Sequence, residues 1–121
     1  MNEVKLIDTH AHLDFPVFEN KLTQVIENAN KFNVIKIISI STNLSKIDKI
    51  IKISNNFDTV FHTVGVHPNE VGKDNDYKNY DLMVELSNNP KCVGIGEGGL
   101  DYHYTEDLKE KQKQSFITQI N

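Results

Sequence analysis

Apolar positions along the chain fall into two alternating spacings. Short, nearly continuous aliphatic and β-branched runs occupy residues 4–8, 34–40, 59–66 and 92–96, each bounded by polar or turn-forming residues, which is how strands read. Between and after them, apolar residues recur every three or four positions. Leu22, Val25, Ile26, Ala29 and Phe32 predict a helix over 19–32, and Leu44, Ile47, Ile50 and Ile51 predict one over 44–56. Leu82, Met83 and Leu86 predict a helix over 80–88, stopped by Pro90. Leu108, Phe116, Ile117 and Ile120 mark the apolar side of a last helix over 106–120. The run 34–40 has the continuity of a strand buried on both faces. Residues 69–79 read as a polar loop, functional or mobile. Strand then helix, four times over with mostly short connections, implies an α/β fold with a parallel sheet and right-handed crossovers, because parallel neighbours cannot be joined by hairpins.

Composition narrows the setting. A chain of 121 residues with 38% hydrophobic content suits one domain with a real core. It has no apolar run of the ~18 residues that a membrane span needs, and its N-terminus lacks the basic and apolar pattern of a leader, so a soluble, cytoplasmic protein is expected. The lone cysteine, Cys92, lies in an apolar run and reads as core packing. A net charge of -4 argues against a protein that holds nucleic acid mainly through a basic surface. An enzyme that acts on phosphodiesters through metal ions stays open. The thirteen basic residues are all lysine, so no guanidinium fork is available for phosphate. Lys46, Lys49 and Lys52 read as the solvated face of their helix.

Candidate chemistry gathers where strands end. His10 and His12 close the first run, and alternation along a strand points both rings to one face, with Asp8 joining them if the strand stays regular. Such a pair is half of a metal site for Zn, Mn, Fe, Co or Ni, whereas Mg needs more oxygen. Five histidines in 121 residues supply about 0.2 such pairs by chance, so the spacing alone is a weak signal. His67 and Glu97 also follow strands, at the carboxyl ends where parallel α/β folds collect ligands. His62 lies inside a strand and reads as a packed or hydrogen-bonded core histidine.

Three blocks, IDTHAHLDF (7–15), VGVHPNE (64–70) and VGIGEGGLDYHY (93–104), resemble the TatD-like metal-dependent hydrolases and deoxyribonucleases of the amidohydrolase superfamily. Gln112, Phe116 and Gln119 extend the likeness into the last helix. The resemblance implies a (β/α)8 TIM-type barrel, of which residues 1–121 are the N-terminal half, truncated to about four βα units. It also implies one or two divalent cations (Mg, Mn or Zn) at the carboxyl rim, with His10 and His12 as the first metal ligands and Glu97 as the ligating or bridging carboxylate. His67 matches a histidine assigned to substrate phosphate, and Asp101 and Tyr102 match a motif of open role. Gly98 stands where the family usually carries a larger residue, which predicts a looser loop around Glu97.

A complete barrel takes roughly 250 residues. The family's further histidines and catalytic aspartate fall in its second half, so no acid or base is assigned here. Half a barrel leaves its first and fourth strands as open edges and its inner apolar face uncovered, which predicts self-association or pairing with a second-half chain. The implied function is metal-dependent hydrolysis of DNA or another phosphodiester. The alternatives are a non-enzymatic remnant of a disrupted gene and a PHP-like phosphoesterase, the latter disfavoured by the Gly-Glu-x-Gly-Leu-Asp-Tyr block.

Overall fold

A computed structural model of the chain describes residues 4–104 and 106–121; residues 1–3, on which the expected lack of a leader bears, lie outside the described residues. Strands β1 (Leu6–Ala11), β2 (Val34–Ser39), β3 (Val60–Val64) and β4 (Cys92–Ile95) form one sheet in the order β1-β2-β3-β4. Every neighbouring pair is parallel. Helices α1 (Leu22–Lys31), α2 (Ile47–Asn56), α3 (Tyr80–Ser87) and α4 (Lys109–Ile120) follow the strands in turn. The predicted strand and helix order is the observed one.

The helices cover one face of the sheet. Val60, His62 and Val64 alternate into it from β3, because side chains two residues apart share a face. Ile26, Ile37, Ile53, Val60 and Leu13 form one buried cluster, and Leu44, Ile47, Val64, Val66, Val71 and Met83 form a second. Cys92 packs against the latter as expected. His62 is fully buried, and Ser54 Oγ, whose own hydrogen goes to the Ile51 carbonyl, accepts from its Nδ1–H at 2.8 Å.

Several expectations change. β1 does not stop at Asp8 but runs on to Ala11, so both histidines lie within or directly after the strand. β2 is not buried on both faces: Ile35 and Lys36 are exposed, because the helices lie on one side only. Residues 69–79 are anchored rather than loose. Val71 enters the core, and the buried Asp74 carboxylate accepts the Leu44 N–H at 2.6 Å and the Asp76 N–H at 2.9 Å.

The largest change concerns α4, whose Ile117 and Ile120 face outward while Gln112 and Ser115 are buried. Two amides seat this helix by satisfying backbone groups that would otherwise be costly to bury. Gln112 accepts from Asp101 N–H and donates to Asp101 C=O, both at 2.8 Å. Gln119 does the same for Val66, at 3.1 Å each. A Cβ on Gly98 would meet Gln119 Oε1 at 2.7 Å, so the glycine admits the amide rather than leaving a gap.

Candidate metal centre

The carboxyl ends of the strands are tied together by small polar residues. Thr63 Oγ1 donates to the Gly96 carbonyl at 2.6 Å and accepts from Ser41 N–H at 3.1 Å. Ser41 Oγ donates to the Gly65 carbonyl at 2.8 Å, and Ser41 C=O accepts the Glu97 N–H at 2.8 Å. Glu97 is thereby fixed to the ends of β2 and β3. Gly65 is required here, since a Cβ would fall 2.4 Å from the Gly96 carbonyl carbon. Gly96 itself takes φ 151°, which side-chain-bearing residues rarely adopt.

Glu97 faces three imidazoles. Its Oε2 lies 3.4 Å from His10 Nε2 and 3.8 Å from His12 Nε2, and its Oε1 lies 3.5 Å from His67 Nε2. A flat sheet would set β1 and β4 about 14 Å apart, three spacings of ~4.8 Å. Curvature of the barrel kind brings their side chains together instead. Asp8 is not part of this group. The β1 ladder is irregular between Asp8 and Ala11, and the Asp8 carboxylate turns back to accept the His10 N–H at 3.0 Å.

Hydrogen bonds decide which ring nitrogen is free. His12 Nδ1 lies 3.2 Å from the Ile40 carbonyl, which only accepts, so Nδ1 carries the hydrogen and Nε2 presents a lone pair to Glu97. His67 is the reverse: its Nδ1 accepts the Asn69 N–H at 3.0 Å, so the neutral ring carries its hydrogen on Nε2. His12 Nε2 and Glu97 Oε2 are two acceptors facing each other. Such an arrangement calls for a cation between them, either a proton or a metal ion.

The donor set fits a metal ion. One ligand atom from each of His10, His12 and Glu97 can be chosen so that all lie within 4.8 Å of one another. A tetrahedral ion bound at ~2.1 Å keeps its ligands about 3.4 Å apart, close to the contacts that Glu97 makes with both rings. His67, with hydrogen on the atom it presents, is a donor in the same place.

The comparisons agree with this geometry. The family model described as TatD related DNase matches residues 7–121. The chain belongs to the TatD-related DNase family. A Bacillus subtilis relative, the uncharacterized metal-dependent hydrolase YabD, is 35% identical over 95% of this chain and 45% of its own length. The human deoxyribonuclease TATDN3 is 33% identical over 97% of this chain and 47% of its own. Among solved structures, the Escherichia coli TatD homologue YJJV superposes with a TM-score of 0.84 at 27% identity, covering 95% of this chain and 45% of that one. A TatD family hydrolase from Entamoeba histolytica gives 0.77 at 28%, with 95% and 44% covered. The chain spans about half the length of the curated relatives it matches. Its sheet corresponds to the first half of the TatD barrel.

Residues beyond those singled out in the sequence also shape the site. Phe15 stacks on the His12 ring, centroids 4.6 Å apart and planes 11° from parallel. Asn69 Nδ2 donates to Asp101 Oδ2 at 3.1 Å, which joins the loop after His67 to the loop after Glu97. Asp101, whose role was open, thus bridges two site loops, and the Tyr102 ring lies under Lys109 Nζ at 5.1 Å. A stacking phenylalanine leaves no signature in a linear sequence. The Asn69–Asp101 pair was likewise invisible, being 32 residues apart.

Proposed function

We propose that residues 1–121 form the metal-binding half of a TatD-type barrel that hydrolyses phosphodiester bonds in DNA, with His10, His12 and Glu97 holding one or two divalent cations. The observation that carries this reading is the meeting of two imidazole nitrogens and one carboxylate at the open carboxyl end of the sheet. The family and the relatives' printed names, metal-dependent hydrolase and deoxyribonuclease, support it. Mg, Mn and Zn are the candidate ions.

When bound, such an ion polarises a phosphoryl oxygen and, in the zinc case, lowers the pKa of a coordinated water from about 15.7 to about 7. His12, oriented by the Ile40 carbonyl, and His10 offer nitrogen lone pairs, while Glu97 neutralises positive charge. His67 donates its Nε2–H to a non-bridging oxygen of the substrate phosphate. No general base is assigned among these residues. By itself the chain is expected to have negligible nuclease activity, and a second-half chain or a second copy would cover the exposed Leu6, Ile7, Val93 and Ile95. A cytoplasmic setting fits the single cysteine, and no helix among the described residues is long and apolar enough to cross a membrane.

Calorimetric titration of the purified chain with Mn²⁺ and Zn²⁺, run beside size-exclusion chromatography, tests the site and the association together. Binding near one ion per site, weakened at least tenfold in Glu97→Gln and in His12→Ala, is the expected result. Equal affinity in Glu97→Gln would overturn the ligand assignment. Strong turnover of single-stranded DNA by the monomer, abolished in His10→Ala, would overturn the need for completion.

A further inference from the structure

A cleft of about 860 Å³ opens beside the metal group, bordered by His12, His67 and Glu97 and also by Phe15, Lys46 and Lys49. The two lysines belong to the start of the second helical segment, Lys46 ending a 3₁₀ turn (Leu44–Lys46) and Lys49 lying in the first turn of α2. Lys52, one turn further along α2, does not border the cleft. What reads in the sequence as one solvated lysine face is therefore divided, two members turned toward the site and one away from it.

Charge and pairing set these two lysines apart. The cleft also has Asp48 and Glu70 on its border, yet among the described residues neither Lys46 nor Lys49 has a carboxylate within ion-pairing distance. Unpaired ammonium groups near an acidic metal site, in a chain of net charge -4 without arginine, mark a place built for an anion other than the scissile phosphate. Phe15 supplies the complementary surface. One ring face lies on His12 and the residue is 43% exposed, which leaves a flat apolar surface at the cleft edge. An aromatic face beside ammonium groups is the pattern that binds single-stranded nucleic acid, base on ring and phosphate on lysine.

Resting on the reading of the site as a phosphodiester-hydrolysing centre, we propose that Lys46 and Lys49 hold a non-scissile phosphate of a single-stranded DNA substrate while Phe15 stacks one of its bases. The cleft is thus selective for a strand with at least one phosphate beyond the bond to be cut. Small diesters with no second phosphate would lack this hold.

Fluorescence anisotropy with a labelled tetrathymidylate, measured across a salt series in Mn²⁺ and again in EDTA, tests the assignment without requiring turnover. Lys46→Ala/Lys49→Ala is expected to weaken binding at least tenfold and to lower the slope of log K against log salt by about 1.4, from ~0.7 per phosphate contact. Phe15→Ala should weaken binding at least fivefold, with Phe15→Trp restoring it, and Lys52→Ala should stay within twofold of the parent. Mn²⁺ affinity should be unchanged in the lysine variants. An oligonucleotide that fails to bind the parent chain, or a Lys52→Ala loss equal to that of the Lys46/Lys49 pair, would overturn the proposal. A parent that binds the strand in EDTA through Lys46, Lys49 and Phe15 but takes up no Mn²⁺ would refute the metal site and leave this strand-binding role standing.

Discussion

The centre of the sheet and its flanks are made of the same residue types in different surroundings. Ile37, Val60 and Val64, on β2 and β3, are at most 4% exposed, whereas Leu6, Ile7, Val93 and Ile95, on β1 and β4, are 49–56% exposed. Yet the flanks carry the chemistry: His10 comes from β1, His12 from just beyond it, and Glu97 from just beyond β4. Burial therefore stabilises one part of the molecule, and polar ties at the strand ends hold the other. Ser41, Thr63 and Gly96 do for the site what Ile37 and Val60 do for the core.

Substitutions of one chemical kind in the two regions would sharpen this contrast, and the largest effect belongs to the centre. Ile37→Ala should cost about 2–5 kcal/mol in urea unfolding, since it opens a cavity under α1 and α2. Next comes Gly65→Ala, which forces a methyl group against Gly96 and should cost about 1–3 kcal/mol. Because Gly96 precedes Glu97, the same change should also lower Mn²⁺ affinity at least tenfold. Were metal binding to survive it, the strand-end ties would not be what positions Glu97.

A smaller effect is expected with acid. Burial, and to a lesser extent the nearby positive charge of Lys91, hold His62 below its ordinary pKa of 6.5. The unfolded chain then binds a proton that the folded chain resists, so the His62 contribution is intact above pH 6.5 and is lost as pH falls through the folded value. Urea midpoints between pH 7.5 and 5 should decline in the parent and decline less steeply in His62→Gln. At the bottom of the scale, Ile7→Ala should cost under about 1 kcal/mol, because the side chain is already half in water. A loss matching that of Ile37→Ala would show that the exposed face is covered in solution, and size-exclusion chromatography would reveal by what.

The order of elements and the meeting of His10, His12 and Glu97 were readable in the linear chain because both follow from local spacing and from repeated βα units, whose strand ends share one rim. Features set by tertiary contact were hidden. The apolar stripe of α4 pointed to Ile117 and Ile120 as its buried side, but the pairing of Gln112 and Gln119 with the backbone of Asp101 and Val66 turned the helix the other way. The lysines of α2 carried no mark of which would border a cleft. Asp8 left the histidine cluster because the β1 ladder slips just where alternation was assumed.

The opposite hydrogen placements on rings 12 and 67 are enforced by main-chain atoms, the oxygen of Ile40 and the amide of Asn69. Replacing either of those two side chains leaves the enforcing atom in place. Exchanging the two jobs, cation holder and proton donor, would demand that peptide planes rotate, so this division of labour is sheltered from most single-codon change.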